Sequence, residues 1–210
     1  MFSRRPSGHF IKAISQANGL GPVRFVAHEA MLFGTRKSWW GGRKARPLPH
    51  EGVDLCRYYT QGGEPRSLSP GARIPVACEG RVWAVTDDDF IGRSIYVRHE
   101  GCQGVFFTVY AHVSPRTGLA EGDALVRGEV LATLADPVVR HLRISPHLHF
   151  SLMTFPDSLS RHALRWATMG AGNEVCFHDP RSLLGEDMAL CEEAADSALW
   201  CCLGPVPDIS

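Results

Sequence analysis

Five residues in three short stretches of the sequence have the types and spacing expected of a metal or acid–base site. They are His50 and Asp54 in HEGVD, His112 in YAH, and His147 and His149 in HLH. On an extended strand, residues two or four positions apart lie on the same face, so each stretch can present its side chains to one point. Imidazole nitrogens with a carboxylate oxygen suit Zn²⁺, and three protein ligands leave a fourth position for water, as in catalytic zinc sites.

These stretches lie between residues 50 and 155, where short runs of β-branched and aromatic residues are separated by Gly and Pro. In Val105–Val113, strict alternation places Tyr110 on the same face as His112, where it is expected to support the site. In His147–Leu152 the two histidines also share a face. Each strand is therefore expected to have an apolar back and a polar front that carries histidines. The sequence predicts a mainly β fold, an antiparallel sheet or sandwich with short flanking helices.

Two helices are predicted outside this β region. A short helix over 7–19 begins at Ser7 and ends at Gly19, with apolar residues three or four positions apart between them. Near the other end, 187–203 has apolar residues at roughly helical spacing, which predicts a docked amphipathic helix. That segment lacks the Lys/Arg face that anionic lipid attracts, so a membrane-surface role is not favoured.

The Gly-, Pro- and Arg-rich stretch 34–49 is predicted to be a long loop. Its adjacent Trp39 and Trp40 can anchor the loop in the core or line a cleft, and packing is the favoured interpretation. His99 is also expected to be structural. The seven Cys are odd in number and form no CxxC motif, so they are expected to be free thiols that serve as small apolar residues.

The composition excludes several classes of protein. Lys+Arg and Asp+Glu both number 22, and the resulting formal net charge of zero argues against a nucleic-acid partner bound through a basic surface. A hydrophobic content of 44% predicts a folded globular protein rather than a disordered chain. No apolar run approaches the roughly 20 residues that a membrane-spanning helix needs. No signal peptide is recognised, because polar Lys12, Gln16 and Asn18 interrupt the apolar residues near the N-terminus.

The order of the motifs resembles that of the M23 zinc metallopeptidases, a family that includes lysostaphin-like and LytM-type peptidoglycan endopeptidases. The resemblance covers about residues 30–185 and runs through FGTR, HEGVDL, ACEGRVWAV, GRSIYVRHE, FTVYAHVS, GLAEGDALVRGEVLATL, SPHLHFSL and HDP. It implies a mainly β, M23/LytM-like domain with an open groove, related to hairpin barrel folds. The chain is accordingly divided into an N-terminal segment (1–29), a peptidase domain (30–185) and a Cys-rich C-terminal tail (186–210).

The resemblance implies that His50, Asp54 and His149 bind one Zn²⁺ per chain. It also implies that His112 and His147 are active-site histidines that do not bind the metal. This division suits peptide hydrolysis by a zinc-activated water, because one group must take the proton of the water and another must stabilise the oxyanion. The sequence leaves open which of the two histidines has which role.

The implied function is a zinc-dependent endopeptidase that hydrolyses the peptide cross-links or stem peptides of bacterial peptidoglycan. This substrate implies a periplasmic, cell-wall-associated or extracellular protein, although no signal peptide is visible in the chain. The sequence leaves open whether a glycyl-glycine bridge or a D-alanyl–diaminopimelate bond is cleaved. Residues 1–29 are hypothesised to cover the groove as a latent inhibitor.

Three alternatives come from other functional classes. A catalytically silent M23-like scaffold that binds or activates a cell-wall amidase is expected to have lost ligands, whereas all five residues are present here. A zinc hydrolase of another peptide, including cytoplasmic peptides, is consistent with free thiols and with no recognised signal peptide. A biotinyl or lipoyl carrier domain is excluded, because no Lys that could be modified follows Lys44.

Overall fold

The computed structural model describes residues 9–39, 45–88, 91–102, 104–136, 144–156, 158–160, 164 and 174–191. Within these ranges there are two α-helices, α1 (Phe10–Asn18) and α2 (Arg181–Leu184), and a 3-10 turn at Glu29–Met31. The strands in the same ranges are β1 (Val23–His28), β2 (Val53–Leu55), β3 (Arg57–Thr60), β4 (Pro65–Ser67), β5 (Arg73–Pro75), β6 (Gly80–Asp88), β7 (Gly92–Gly101), β8 (Gly104–Ala111), β9 (Val113–Pro115), β10 (Ala124–Leu125), β11 (Val130–Leu134), β12 (Leu148–Thr154), β13 (Cys176–His178) and β14 (Met188–Cys191).

The strands form three sheets. The largest has seven strands in the order β10-β6-β7-β8-β12-β13, with β2 also paired to β12. A four-stranded sheet has the order β14-β1-β3-β4, and a three-stranded sheet has the order β5-β11-β9. The paired strands are antiparallel except for β1 and β14, which are parallel. The prediction of a mainly β, antiparallel fold with short helices is confirmed.

Strand β12 lies between the other segments that carry candidate site residues. One of its edges pairs with β8, with His149 opposite Ala111. Its other edge pairs with β2 near the start of the strand and with β13 near the end. Because directly paired residues in a sheet have their side chains on the same face, β12 brings side chains of β2 and of the end of β8 together.

The seven-stranded sheet is buried on both faces, which corrects the expectation of a polar front. Tyr110 belongs to the larger hydrophobic cluster on one face. Phe107 and Val109 belong to a second cluster on the other face, together with Phe155. The alternation of side chains along β8 is as predicted, but the polar residues of this strand are enclosed and hydrogen-bonded within the protein rather than hydrated.

The N-terminal helix is present as predicted over the part that the structure describes. Helix α1 buries Phe10, Ile11 and Ile14, which are spaced so that they share one face. Gly19 ends the helix with φ of 63°, a left-handed conformation that glycine adopts without steric cost. The predicted cap, Ser7, lies outside the described residues.

Helix α1 is part of the main hydrophobic core. The ring of Phe10 packs 4.6 Å from that of Phe150 and 5.9 Å from that of Tyr110, measured between ring centroids. Phe150 alternates with His149 along β12, so the helix packs on the face opposite to His149. Helix α1 therefore does not cover the histidines, and the latent-inhibitor hypothesis for residues 1–29 as a whole stays a prediction.

The predicted C-terminal helix is wrong for its first residues. Met188–Cys191 form β14, which pairs with β1. A hydrogen bond from the Phe25 N–H to the Asp187 carbonyl, 2.8 Å long, begins this pairing. The free edge of β1 supplies backbone partners that override the helical spacing of the apolar side chains. The rest of the predicted helix lies outside the described residues.

Four cysteines in the described residues are free thiols, as predicted. Cys56 is buried and Cys78 is half-buried, whereas Cys102 and Cys176 are exposed. The interpretation of the cysteines as buried apolar residues therefore holds fully for Cys56 alone among these four. In the described part of the chain, no helix has the length and apolar character needed to span a membrane.

Candidate metal centre

Pairing between β2 and β12 brings two of the candidate ligands together. Asp54 lies directly opposite His149 in the antiparallel register. The distance between Asp54 Oδ1 and His149 Nδ1 is 2.9 Å. Both residues are at most 4% exposed. A cross-strand pair that is 95 residues apart in the sequence is thus fixed by the sheet itself.

His50 reaches the same point from the segment before β2. Its backbone N–H donates to the Thr35 carbonyl at 2.9 Å, and its carbonyl accepts from the Gly34 N–H at 2.8 Å. These two bonds anchor His50 beside the stretch FGTR. Its Nε2 then lies 3.2 Å from Asp54 Oδ1 and 3.1 Å from His149 Nδ1.

The three ligand atoms fit a zinc ion of tetrahedral geometry. His50 Nε2, Asp54 Oδ1 and His149 Nδ1 are separated from one another by 2.9 to 3.2 Å. Donors about 2.0–2.1 Å from a common tetrahedral ion lie about 3.3 Å apart. The atoms are therefore nearly in position, and a small outward movement would complete the ligand set. The three residues predicted as ligands are brought together.

The remaining ring nitrogens of the two histidines are held by neighbouring groups. His50 Nδ1 donates to the Leu32 carbonyl at 3.0 Å. His149 Nε2 lies 2.9 Å from Ser151 Oγ, which accepts when that nitrogen carries the proton. With a metal bound, this arrangement would leave the lone pairs of His50 Nε2 and His149 Nδ1, the two nitrogens nearest Asp54 Oδ1, for the ion. Such outer hydrogen bonds fix the tautomer and orientation of metal-ligating histidines.

The carboxylate of Asp54 is held in its ionised form. Burial would raise the pKa of Asp54, but the adjacent His50 and the hydrogen bonds from His149 and His50 outweigh it. The pKa of Asp54 is consequently well below its ordinary value of 3.8. An ionised carboxylate among imidazoles is the charge state that a divalent cation requires.

The second oxygen of this carboxylate faces the loop that precedes His50. Trp39 Nε1 donates to Asp54 Oδ2 at 2.7 Å, and Arg46 Nη2 lies 3.4 Å from the same oxygen. Trp39 also packs against the cluster that includes Met31 and Cys56. The expectation that Trp39 packs in the core is met, and the residue contacts the site as well. Its neighbour Trp40 lies outside the described residues.

His147 lies beside the three candidate ligands without joining them. Its Nε2 is 3.9 Å from Asp54 Oδ1, too far for a hydrogen bond. Its Nδ1 donates to the Ser145 carbonyl at 2.8 Å. The ring of Trp39 packs edge-on against it, with centroids 5.0 Å apart. The non-ligand position predicted for His147 is consistent with this geometry.

His112 reaches the site through an unusual backbone conformation. Strict alternation would place it with Tyr110, on the face opposite to His149, because Ala111 pairs with His149. His112 instead has φ of 60°, and in the described residues it is the only non-glycine residue with a positive φ. Its ring centroid lies 4.5 Å from that of His147 and 6.4 Å from that of His149. His112 therefore lies beside the other candidate residues, as expected of a site residue, but the alternation offered for its placement does not hold.

Tyr110 does not support the site directly, and that expectation is corrected. It pairs with Phe150 on the back of the sheet, away from His149. Its hydroxyl accepts from the Ala77 N–H at 2.8 Å and is hydrogen-bonded to Thr108 at 3.1 Å. Because the side chain is enclosed, burial raises its pKa above the ordinary value of 10.0. Tyr110 is a core residue whose polar atom is satisfied within the core.

The same core network contains His99. His99 Nε2 lies 2.7 Å from Thr108 Oγ1, and Nδ1 lies 2.7 Å from the Glu79 carbonyl. Its ring stacks on Phe106 with centroids 4.8 Å apart. These contacts agree with the structural role expected for His99.

Burial keeps three histidines near the centre in their neutral form. It lowers the pKa of His112 to about 3, assisted by His147 and His149. It also lowers the pKa of His149 to about 4 against the opposing effect of Asp54, and it lowers the pKa of His147. Each neutral ring carries one lone pair, which can bind a metal or accept a hydrogen bond near neutral pH.

Several contributors to the site were not predicted. Ser151 is two residues after His149 on the same face, so the period of the strand could have indicated its contact. Gly52 lies where a Cβ would be 2.4 Å from the Phe150 carbonyl oxygen, a contact visible only once β2 and β12 are paired. Arg46 acts from an irregular loop, for which periodicity gives no signal.

The sequence matches a known family over a range that contains all five candidate residues. Residues 50–161, just over half of the chain, match the model described as Peptidase family M23. No curated protein sequence matches the chain.

Solved peptidase structures resemble the chain at low similarity. The catalytic domain of the antimicrobial peptidase lysostaphin from Staphylococcus simulans is 18% identical, with 73% of this chain and 88% of that chain covered and a TM-score of 0.46. A zinc containing peptidase from Vibrio cholerae is 22% identical, with 61% of this chain and 33% of that chain covered and a TM-score of 0.43. Because the identities and TM-scores are this low, these structures add nothing about this chain beyond the family match.

Replacing Gly52 by Ala is expected to disrupt the metal centre. The added methyl group would lie 2.4 Å from the Phe150 carbonyl oxygen and 2.6 Å from Ser151 Oγ, so β2 and β12 must move apart. We expect a loss of about 1–3 kcal/mol in the free energy of unfolding, measured with urea, and weaker zinc binding, measured by chelator competition. Gly62→Ala is the matched control, because its Cβ would meet only Thr60 Oγ1 at 3.8 Å. Equal zinc affinity in Gly52→Ala and the wild type would contradict the role given to this close approach.

The metal-free protein is expected to lose stability as the pH falls below 6.5. Four histidines have folded-state pKa values below their ordinary value of 6.5: His99, His112, His147 and His149. The unfolded chain therefore binds more protons in this range, and acidification favours unfolding. Asp54, whose pKa is lowered, adds to this loss of stability only below pH 3.8. Glu51, whose pKa is raised above 4.5, has the opposite effect, but it is one group against four histidines.

Urea unfolding of the metal-free protein, followed by tryptophan fluorescence at a series of pH values, measures this trend. The free energy of unfolding should decrease continuously as the pH is lowered through 6.5. A stability that stays constant or rises across that interval would contradict the neutral state assigned to the buried histidines.

Proposed function

The chain belongs to peptidase family M23, and we propose that it is a zinc-dependent endopeptidase that cleaves peptide bonds in bacterial peptidoglycan. The observation that carries the proposal is the convergence of His50 Nε2, Asp54 Oδ1 and His149 Nδ1 to within 3.2 Å of one another. Two neutral histidines that are not part of this set flank it. A metal site with acid–base groups beside it is the arrangement that hydrolysis of a peptide bond needs.

The proposed ligands are His50, Asp54 and His149, and the proposed cofactor is one Zn²⁺ per chain. When bound, zinc supplies a Lewis acid that polarises the peptide carbonyl and lowers the pKa of water. The three side chains are enclosed, so they would hold an ion in a fixed position. Three ligands from the protein would leave a fourth position for water or substrate.

His147 is suited to accept a proton at Nε2. Its Nδ1 donates to the Ser145 carbonyl, so in the neutral ring the lone pair is on Nε2. That nitrogen faces the metal ligands, 3.9 Å from Asp54 Oδ1. We assign His147 the role of a general base that holds the proton of the attacking water and delivers it to the leaving amine.

His112 is suited to contact the reacting carbonyl oxygen or the water. The residue is half-buried, and its side chain is hydrogen-bonded to the backbone of Ile91. Its ring packs 4.5 Å from that of His147, between centroids. The positive φ of His112 costs free energy that a purely structural residue would not need, which supports a functional role.

Peptidoglycan is proposed as the substrate because the sequence motifs resemble those of the peptidoglycan endopeptidases in this family. Such a substrate lies outside the cytoplasm, so we also propose a periplasmic, cell-wall-associated or extracellular location. Both glycyl-glycine bridges and D-alanyl–diaminopimelate bonds are candidates for the cleaved bond. The complete set of five site residues favours an active enzyme over a silent scaffold that activates an amidase.

Hydrolysis of purified peptidoglycan by the wild type and by His112→Ala, with the zinc content of each protein, tests the proposal. The wild type should release new amino groups and contain about one zinc per chain. His112→Ala should keep its zinc, because it removes no ligand, and should hydrolyse about 10²–10⁴-fold more slowly. His178→Ala, which removes an exposed histidine outside the site, is the control and should match the wild type.

Two results would contradict this account. A zinc-loaded wild type that hydrolyses short peptides but no peptidoglycan would exclude the proposed substrate. A folded His112→Ala variant that has lost its zinc would show that the assignment of ligands and acid–base residues is wrong.

A further inference from the structure

We infer that Trp39 and Arg46 are positioning residues that occupy one oxygen of the Asp54 carboxylate and leave the other for the metal. Trp39 in addition fixes the ring of His147. The inference rests on the metal centre proposed above. Trp39 and Arg46 lie 15 and 8 residues before Asp54, and both come from the loop that precedes His50.

The two oxygens of Asp54 have separate sets of partners. Oδ1 lies 2.9 Å from His149 Nδ1 and 3.2 Å from His50 Nε2. Oδ2 accepts the Trp39 Nε1–H at 2.7 Å and is 3.4 Å from Arg46 Nη2. The carboxylate therefore presents one oxygen to the metal-ligand atoms and the other to two hydrogen-bond donors. Because the indole N–H and the guanidinium are donors only, neither can replace the carboxylate as a ligand.

Both residues are held in place by contacts outside the site. Trp39 packs against the cluster of Ala27, Met31 and Cys56. Arg46 donates from Nε to the Lys37 carbonyl at 3.1 Å and from Nη2 to the Ala30 carbonyl at 3.3 Å.

The loop is also closed by its backbone. The Arg46 N–H donates to the Arg36 carbonyl at 2.7 Å, so the two sides of the loop are joined next to Trp39. The side chain of Arg46 is only 11% exposed, and that of Asp54 is 2% exposed. The donors are thus fixed and largely shielded from water, which strengthens charge-assisted hydrogen bonds to the carboxylate.

Occupation of Oδ2 has a consequence for metal geometry. A carboxylate that is free to turn can bind a metal through both oxygens, which uses an extra coordination position. With Oδ2 engaged, Asp54 would hold a metal through Oδ1 alone, so a four-coordinate ion bound by the three protein ligands would keep one open position. An open position is what distinguishes catalytic from structural zinc sites.

Trp39 links this ligand to the proposed base. The same indole that donates to Asp54 packs edge-on against the ring of His147, with an interplanar angle of 81°. One side chain therefore sets the orientation of a metal ligand and of the histidine beside it. A phenylalanine at this position would keep an aromatic edge for His147 but would lack the N–H donor.

Trp39→Phe tests the inference through metal binding rather than turnover. Zinc affinity is measured by competition with a chelator, and Co²⁺ substituted into the centre reports coordination number through its visible absorption. We expect Trp39→Phe to bind zinc about 10–100-fold more weakly, and its Co²⁺ bands to weaken as the coordination number rises. Trp83→Phe, which removes an indole that packs against Phe107 and Phe155 away from the site, is the matched control and should bind both metals as the wild type does.

Arg46→Gln is the second variant, in case Trp39→Phe does not fold. It removes the charge beside Oδ2 and should also weaken zinc binding, with thermal unfolding of the metal-free protein followed to check its fold. Zinc affinity and Co²⁺ absorption equal to the wild type in the folded variants would overturn the inference while leaving the metal centre intact. A wild type that binds neither metal would overturn the metal centre itself, and this inference with it.

Discussion

The site depends on one cross-strand pair, Asp54 on β2 opposite His149 on β12. This pairing places a carboxylate oxygen 2.9 Å from an imidazole nitrogen across 95 residues of sequence. His50 lies only four residues before Asp54, so the same segment of chain brings it to this point. His147 precedes β12 directly, so it follows from the same strand position. Every other feature of the site either supports this pair or is aligned by it.

Enclosing a charged carboxylate is costly unless its oxygens are paired and hydrogen-bonded. In this protein the neighbouring groups meet that requirement even in the absence of metal. Histidine nitrogens surround Oδ1, and Trp39 and Arg46 face Oδ2. The cluster is therefore organised in the absence of any ion, at the expense of a close backbone approach at Gly52 and a left-handed backbone at His112. Such compromises in the backbone are expected where function, rather than stability, determines the sequence.

Much of the site could be predicted from strand periodicity and from the order of the motifs. The two histidines of HLH share a face, and the spacing of HEGVD suits a common ion, so the ligand set follows once the family resemblance is added. Alternation holds along β8 as far as Tyr110 and fails at His112, because it applies only while the backbone stays extended. A single residue with φ of 60° moved His112 to the other face and left Tyr110 in the core.

Other features depend on contacts that a linear pattern does not encode. The role of Trp39 arises from its hydrogen bond to Asp54, a residue 15 positions further along the chain. The second buried face of the large sheet depends on which segments cover it. The start of the C-terminal tail became a strand because the edge of β1 was available for pairing. In each case tertiary contacts decided between local conformations that the sequence alone leaves comparable.

The most direct test of this account is the zinc content of the wild type and of Asp54→Asn after equilibration with a small excess of zinc and removal of the unbound ion. Asn keeps the shape of the side chain but loses the anionic ligand that the two histidines surround. Asp87→Asn removes an exposed carboxylate elsewhere and serves as the control. The account predicts about one zinc per chain in the wild type and the control, and little or none in Asp54→Asn. A wild type without zinc, or an Asp54→Asn variant that retains it in full, would contradict the assignment of this cluster as the metal centre.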